Sequence, residues 1–225
     1  MDYNILPNSD IKVSKICLGT MTWGRQNSQK EAFDQMNYSL ERGINFFDTA
    51  ELYPVPATPD KYAVTEQIIG NWFNETKKRD KVILATKIAG PGDYTAHIRK
   101  SGFKGDSIET ALNSSLKRLN TDYIDLYQLH WPERITNNFG NRNYQYFNES
   151  WEDNFEFILL KFKELIKSGK IRKIGLSNEN PWGIMKFLEY SKKNLPKMVT
   201  IQNPYSLLNR SVSYTHLRAH ETGRN

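Results

Sequence analysis

The chain has one cysteine, Cys17, among 225 residues. A disulfide framework is excluded, and a reducing compartment, the cytoplasm, is expected. Cys17 stands in an apolar run and is expected to be a small buried hydrophobe. No apolar run approaches the roughly 18 residues that a membrane-spanning helix needs, so no membrane partner is expected. The opening residues MDYNILPNSDIKVSK contain no basic segment followed by an apolar stretch, so no signal peptide is read. Histidine is scarce, with four residues and neither H-x-x-x-H nor C-x-x-C spacing, and no metal is expected. There is no P-loop and no G-x-S-x-G elbow. The net charge is +6, but the basic residues are scattered. The densest groups, at 77–79 and 170–173, fall at helix ends, where cations complement the helix dipole. Nucleic acid is therefore not an expected partner.

What is present is an alternation. Short β-branched or aromatic runs are followed by longer segments with apolar residues at helical spacing. Strands are expected at 16–19, 44–49, 82–87, 124–130, 172–177 and 198–202. Helices are expected at 28–42, 64–75, 107–119, 151–168 and 181–193. Ser28 with Glu31 and Asp106 with Glu109 have the spacing of capping boxes. Gly43 and Gly169 stand where helices should stop. Such alternation implies a parallel sheet with helical crossovers, and strands apolar at nearly every position imply cover on both faces. A dinucleotide-binding doubly wound sheet should carry G-x-G-x-x-G after its first strand. The first strand here runs into LGTMTWG, which lacks that spacing, so an α/β barrel is preferred. Segments 2–5 and 11–13 are expected to form a small hairpin that plugs its floor.

Four residues lie at or just past strand ends: Asp48 and Tyr53 in INFFDTAELY, Lys87 closing VILATK, and His130 closing IDLYQLH. Functional groups drawn from the ends of successive parallel strands are the mark of a barrel active site. A tyrosine is a poor acid near neutrality, and a neighbouring ammonium lowers its pKa. A carboxylate keeps that ammonium charged in a partly buried place. A histidine can donate a hydrogen bond to a carbonyl and fix its direction. Together the four suit proton donation during carbonyl reduction, with hydride from a nicotinamide. Each residue taken singly also has a plain reading: a turn aspartate, a snorkelling lysine, a core histidine, one tyrosine of twelve.

The strings ICLGTMTWG, GINFFDTAELYPVP, IGNWF, LATKIAGP, SLKRLNTDYIDLYQLHWPERITNNFG, GKIRKIGLSNE and VTIQNPYSLLNR extend over residues 3–211. In them the chain resembles the aldo-keto reductase family, nearest its bacterial Tas-like branch. The resemblance implies a (β/α)8 TIM barrel that reduces aldehydes or ketones with NADP(H). It implies Tyr53 as proton donor, Lys87 as its partner, Asp48 holding Lys87, and His130 orienting the substrate. It implies that Ser177, Asn178 and Gln202 hold the nicotinamide carboxamide, that Tyr205 stacks on the ring, and that Gly19, Thr20 and Met21 line the ribose. Ser206, Leu207 and Asn209 would begin the pyrophosphate loop. Trp23 and Trp131 would be aromatic walls of the substrate pocket, with core packing an open alternative for both. A non-catalytic, cofactor-sensing or partner-binding role, as in potassium-channel β-subunits, also stays open on this fold.

The chain departs from the family pattern in one respect. About six β/α units are visible, not eight, and SVSYTHLRAHETGRN at the end has no helical or strand period. Residues 1–211 are expected to be the barrel portion. Residues 212–225 are expected to be a non-native or disordered tail, and the chain by itself is expected to be unstable and inactive. The loop 133–150, rich in Asn, Tyr and Phe, is expected to shape the pocket.

Overall fold

Six short apolar runs become the strands of one parallel sheet: β3 (Cys17–Gly19), β4 (Phe46–Asp48), β5 (Ile83–Ile88), β6 (Ile124–Leu129), β7 (Ile171–Ser177) and β8 (Met198–Gln202). The computed structural model describes residues 1–136, 139 and 151–217. The strands lie in chain order, β3-β4-β5-β6-β7-β8. Ahead of them β1 (Tyr3–Ile5) and β2 (Lys12–Ser14) form an antiparallel hairpin. Its Leu6, Ile11 and Val13 pack against Phe46 and Ile83, at the entry ends of β4 and β5. The hairpin therefore closes the floor, as expected of segments 2–5 and 11–13.

The crossovers are helical: α1 (Gln29–Glu41), α2 (Val64–Thr76), α3 (Ser107–Leu119), α4 (Phe155–Lys167) and α5 (Pro181–Ser191). Side chains of a strand alternate between its faces. One face presents Phe47, Leu84, Tyr127, Ile174 and Leu176 to helix residues such as Met36, Ile69, Trp72, Leu112, Phe162 and Phe187, which makes the main core. The other face is concave. There Ala85, Leu126 and Val199 form a small cluster with Phe46, and polar groups sit above it. Gln202 on β8 reaches Asp48 on β4 at 3.2 Å, although three strands lie between them. A flat sheet would keep those side chains well apart, since neighbouring strands are about 4.8 Å apart. The sheet is thus curled into a half-barrel, an α/β TIM-barrel-like fold.

Local signals mostly act as expected. Ser28 and Glu31 form a reciprocal capping box, and Asn180 caps α5 by accepting from Gly183 N. Gly43 and Gly169 take left-handed φ values of 81° and 78° just past helix ends. Four expectations need correction. Asp106 caps nothing with its side chain, because its backbone, at φ −94° and ψ 12°, lacks the extended conformation of a capping residue; Glu109 pairs with Lys170 instead of reaching back. Helix α4 begins at Phe155, not at 151, since Asn154 is the residue that precedes its first turn. Cys17 is exposed, because β3 is an edge strand with no described strand on its outer side. A short turn of helix, α6 (Ser211–Thr215), forms where no period was read. Asn209 Oδ1 accepts from Ser211 N at its start, and Thr215 Oγ1 bonds back to Ser211 O. Residues 218–225 of the expected tail lie outside the described residues.

Gly70, in the middle of α2, sits against α3. A Cβ there would collide with the backbone carbonyl of Arg118. Helix propensity alone favours Gly70→Ala by about 1 kcal/mol. The collision with backbone should outweigh that gain, since overpacking costs roughly 1–3 kcal/mol. Urea unfolding is expected to show a lower midpoint for the variant; a higher midpoint would refute close α2–α3 packing.

Candidate active site

The C-terminal ends of β4, β5 and β6 bring the four predicted residues together. Lys87, 1 % exposed, points inward from β5. Its Nζ donates to Asp48 Oδ2 at 2.6 Å, to Thr49 O at 2.9 Å, and to Tyr53 Oη at 3.5 Å. Burial, the largest single influence, works against the ammonium. The charges and hydrogen bonds of Asp48 and Tyr53 together outweigh it and hold the Lys87 pKa above its ordinary value. Asp48 is gripped further by Gln128 Nε2 at 3.3 Å and Gln202 Nε2 at 3.2 Å. Thr20 fixes the Asp48 backbone by donating from Oγ1 to its carbonyl at 2.9 Å.

Burial raises the Tyr53 pKa, and Asp48 adds to the rise. Lys87 pulls it down by charge and hydrogen bond, and the net direction is upward. The expected lowering by Lys87 is therefore real as a contribution but loses to desolvation, which penalises the phenolate. Tyr53 is held as the neutral phenol, with its proton present to give. The His130 ring packs edge-on to Tyr53 with centroids 5.6 Å apart. Burial, helped by the Lys87 charge, lowers its pKa well below 6.5, so the imidazole is neutral near pH 7. Its Nδ1 is buried without a hydrogen-bond partner among the described residues.

These groups open on a cleft of about 660 Å³, and Tyr53, Lys87 and His130 line it beside Leu52, Val55, Tyr94 and Trp131. Trp131 donates from Nε1 to Pro91 O at 3.0 Å and stacks on Tyr94 with centroids 5.7 Å apart. Phe139 meets its edge. Of the expected pocket loop, residues 137, 138 and 140–150 lie outside the described residues.

The other predicted residues divide. Met21 lines the cleft; Gly19 pairs with Asp48 in the sheet register. Ser177, Asn178 and Gln202 line it together at the ends of β7 and β8. Asn178, at φ 53°, donates from Nδ2 to His130 O at 3.0 Å. Tyr205 is exposed at the rim. Ser206, Leu207 and Asn209 form a turn closed on itself: Ser206 N donates to Asn209 O, and Ser206 Oγ accepts from Leu208 N and Asn209 N. Those amides are not free for a phosphate in this arrangement. Trp23 is misplaced by the sequence reading. It is 1 % exposed, packs in the main core and donates from Nε1 to Gln35 on α1; it is not among the residues lining the cleft. The loop after β3 turns it outward beneath the helices, so core packing is its role.

The family model for aldo/keto reductases matches residues 15–221. The chain belongs to this family. Protein tas of Escherichia coli (strain K12) is 45 % identical over 223 residues, covering 94 % of this chain and 62 % of that protein. An uncharacterised oxidoreductase of Bacillus subtilis (strain 168) is 37 % identical over 225 residues, covering 97 % of this chain and 62 % of its own. The chain thus spans about three fifths of the length of these relatives. A crystallised thermostable aldo-keto reductase, solved with the inhibitor epalrestat, superposes with a TM-score of 0.69 at 24 % identity, over 96 % of this chain and 67 % of its own. That likeness concerns the fold.

Two residues of this aldo/keto reductase family member escaped the sequence reading. Gln128 stands two places before His130, on the same strand face, and strand period alone could have found it. Glu51, fully buried, accepts from Ala89 N at 2.6 Å and from both Arg99 nitrogens at 2.9 Å. It ties the Tyr53 loop to the loop after β5. Arg99 is forty-odd residues away in sequence, and no local signal marks the pair.

The depressed His130 pKa has a signed consequence for stability. The unfolded chain takes up a proton near pH 6.5, while the folded chain does not until lower pH. Folding stability at His130 is therefore complete above pH 6.5 and falls as pH drops below it. Urea unfolding between pH 7 and about pH 5 is expected to show this loss in the unaltered protein and a shallower loss in His130→Gln. Equal slopes would mean that His130 titrates normally.

Proposed function

We propose that this site reduces aldehydes or ketones to alcohols with NADPH, Tyr53 giving the proton. The observation that carries the reading is the buried Asp48–Lys87–Tyr53 chain beside a neutral His130, open to an apolar, aromatic cleft. The residues at one end of that cleft fit a nicotinamide carboxamide. Ser177, Asn178 and Gln202 present hydroxyl and amide groups, and the side-chain carbonyls of Asn178 and Gln202 accept no hydrogen bond from a described residue, which leaves acceptors for an amide. Tyr205 is exposed, with the Arg210 guanidinium 5.9 Å from its ring centroid. The amides of Ser206, Leu208 and Asn209 are bonded within the turn and do not present a pyrophosphate contact in this arrangement. Preference for NADPH over NADH rests on the family membership.

Ser177, Asn178 and Gln202 would hold a nicotinamide at that end of the cleft, where it would supply the hydride for the carbonyl carbon. His130, neutral with its proton on Nε2, leaves the buried Nδ1 as a bare lone pair and turns a donor to the carbonyl oxygen. It aligns that oxygen toward Tyr53 Oη. As charge grows on the oxygen, Tyr53 gives up its proton, and the Lys87 ammonium at 3.5 Å stabilises the phenolate that is left. Asp48 keeps Lys87 charged and in place throughout. Trp131, Tyr94 and Leu52 exclude water and favour apolar carbonyl compounds.

The test uses the chain fused to the segment of Protein tas that it does not match, assayed with NADPH, NADH and a simple aromatic aldehyde. Tyr53→Phe is expected to keep NADPH binding, read by tryptophan fluorescence, and to lose turnover by roughly 10²–10⁴-fold. Retained turnover removes Tyr53 from the reaction. A folded fusion that binds neither nucleotide sinks the reductase reading.

A further inference from the structure

One buried ion pair takes no part in that chemistry yet joins the two loops that frame it. Arg134 follows β6 and His130; Glu179 follows β7 and Asn178. Both are buried. Arg134 Nη1 donates to Glu179 Oε2 at 3.1 Å, and Nη2 donates to Glu179 Oε1. Nη2 also donates to Asn180 Oδ1 at 3.1 Å, the group that caps α5 by accepting from Gly183 N at 3.0 Å. Glu179 Oε1 accepts from Asn180 N at 2.7 Å. The guanidinium lies 4.9 Å above the Trp182 ring. A Cβ at position 183 would run into both partners, so the glycine is what lets the fork seat against the helix start.

The two loops meet at the site through Asn178. Its N–H donates to Gln202 O at 2.9 Å and its Nδ2 to His130 O at 3.0 Å, in a left-handed backbone conformation that asparagine tolerates better than other non-glycine residues. We propose that the Arg134–Glu179 pair is a positioning staple: it locks the loop after β6 to the loop after β7 and so sets His130 and Asn178 relative to one another across the cleft. A planar guanidinium holding a carboxylate through two nitrogens fixes direction as well as distance, which a point charge does not. The effect on cofactor affinity rests on the nicotinamide reading above; the locking of the two loops does not.

A comparable pair serves as control. Buried Glu66 and largely covered Arg118, whose side chain is 14 % exposed, join α3 to α2 and reach Thr86 on the outer side of the sheet. Removing one partner from either pair leaves a buried charge uncompensated and destabilises the fold. The positioning role predicts a difference that stability alone does not. Backbone hydrogen exchange is measured on the full chain. In Glu179→Gln the amides of His130, which donates to Ile88 O, and of Asn178 should exchange faster, about tenfold or more. In Glu66→Gln they should exchange no faster than the lowered global stability requires. NADPH affinity, read by tryptophan fluorescence, should fall by roughly tenfold to a hundredfold in Glu179→Gln and stay level in Glu66→Gln. The double variant Arg134→Met/Glu179→Leu, which buries no lone charge, should regain thermal stability without regaining slow exchange at His130 and Asn178. Exchange at those two amides that tracks only global stability in both series, or that recovers in the double variant, overturns the staple. If the unaltered chain binds no NADPH, the affinity comparison is made in the fusion with the Protein tas segment, where a folded fusion that binds none sinks the nicotinamide reading; the exchange comparison decides the staple either way.

Discussion

A lysine ammonium buried to 1 % exposure is an expensive thing to place inside a protein, and the arrangement around Lys87 follows from that expense. Desolvation alone would drive the amine neutral. Asp48 prevents this at 2.6 Å, the Thr49 carbonyl takes a second proton of the ammonium, and Tyr53 stands at the third. Asp48 is itself a buried charge and needs donors of its own. Gln128 and Gln202 provide them from two further strands, and Thr20 anchors its backbone from a third. Taking away one partner of such a pair costs roughly 3–5 kcal/mol, a large share of a typical domain's stability. The chemistry-bearing cluster is thus also what holds the concave face of the sheet together.

The same demand explains the opposite electrostatic states of two neighbours. Lys87 stays charged because its partners are anionic or acceptors. His130, equally buried and facing that cation, stays neutral for want of an acid beside it. Tyr53 keeps its proton because burial penalises the phenolate more than Lys87 favours it. The surroundings thus reinforce a charged lysine, a protonated tyrosine and a neutral histidine side by side.

What could be read from the sequence was what local chemistry controls. All six sheet strands and five crossover helices follow from the alternation of apolar runs and helical spacing, the floor hairpin from two short segments around Pro7, Asn8 and Ser9, and the four strand-end residues meet where a parallel half-barrel puts them. Trp23 was beyond such reading, because an aromatic after a strand end packs inward or outward according to a loop path that no short pattern encodes. Cys17 looked buried because its run is apolar; edge position, a property of the whole sheet, exposed it. Asp106 and Glu109 had the spacing of a capping box, but Lys170 on a distant segment captured Glu109. Glu51 and Arg99, and Arg134 and Glu179, are pairs whose partners are brought together by the fold alone. Sequence separation erased each of them.

The three hydrogen bonds that converge on the Asp48 side chain from Lys87, Gln128 and Gln202 cross sequence separations of 39, 80 and 154 residues. Each closes a longer loop than the one before, and the longest extends over most of the chain. Loop-closure entropy must be met before any of these contacts returns energy, and topologies dominated by distant pairings fold slowly. Strands β4 to β6 supply Lys87 and Gln128, and β8 adds Gln202. Whatever the order of assembly, the Asp48 cluster is complete only once β8 has docked, so this edge strand of the described sheet is indispensable to the site.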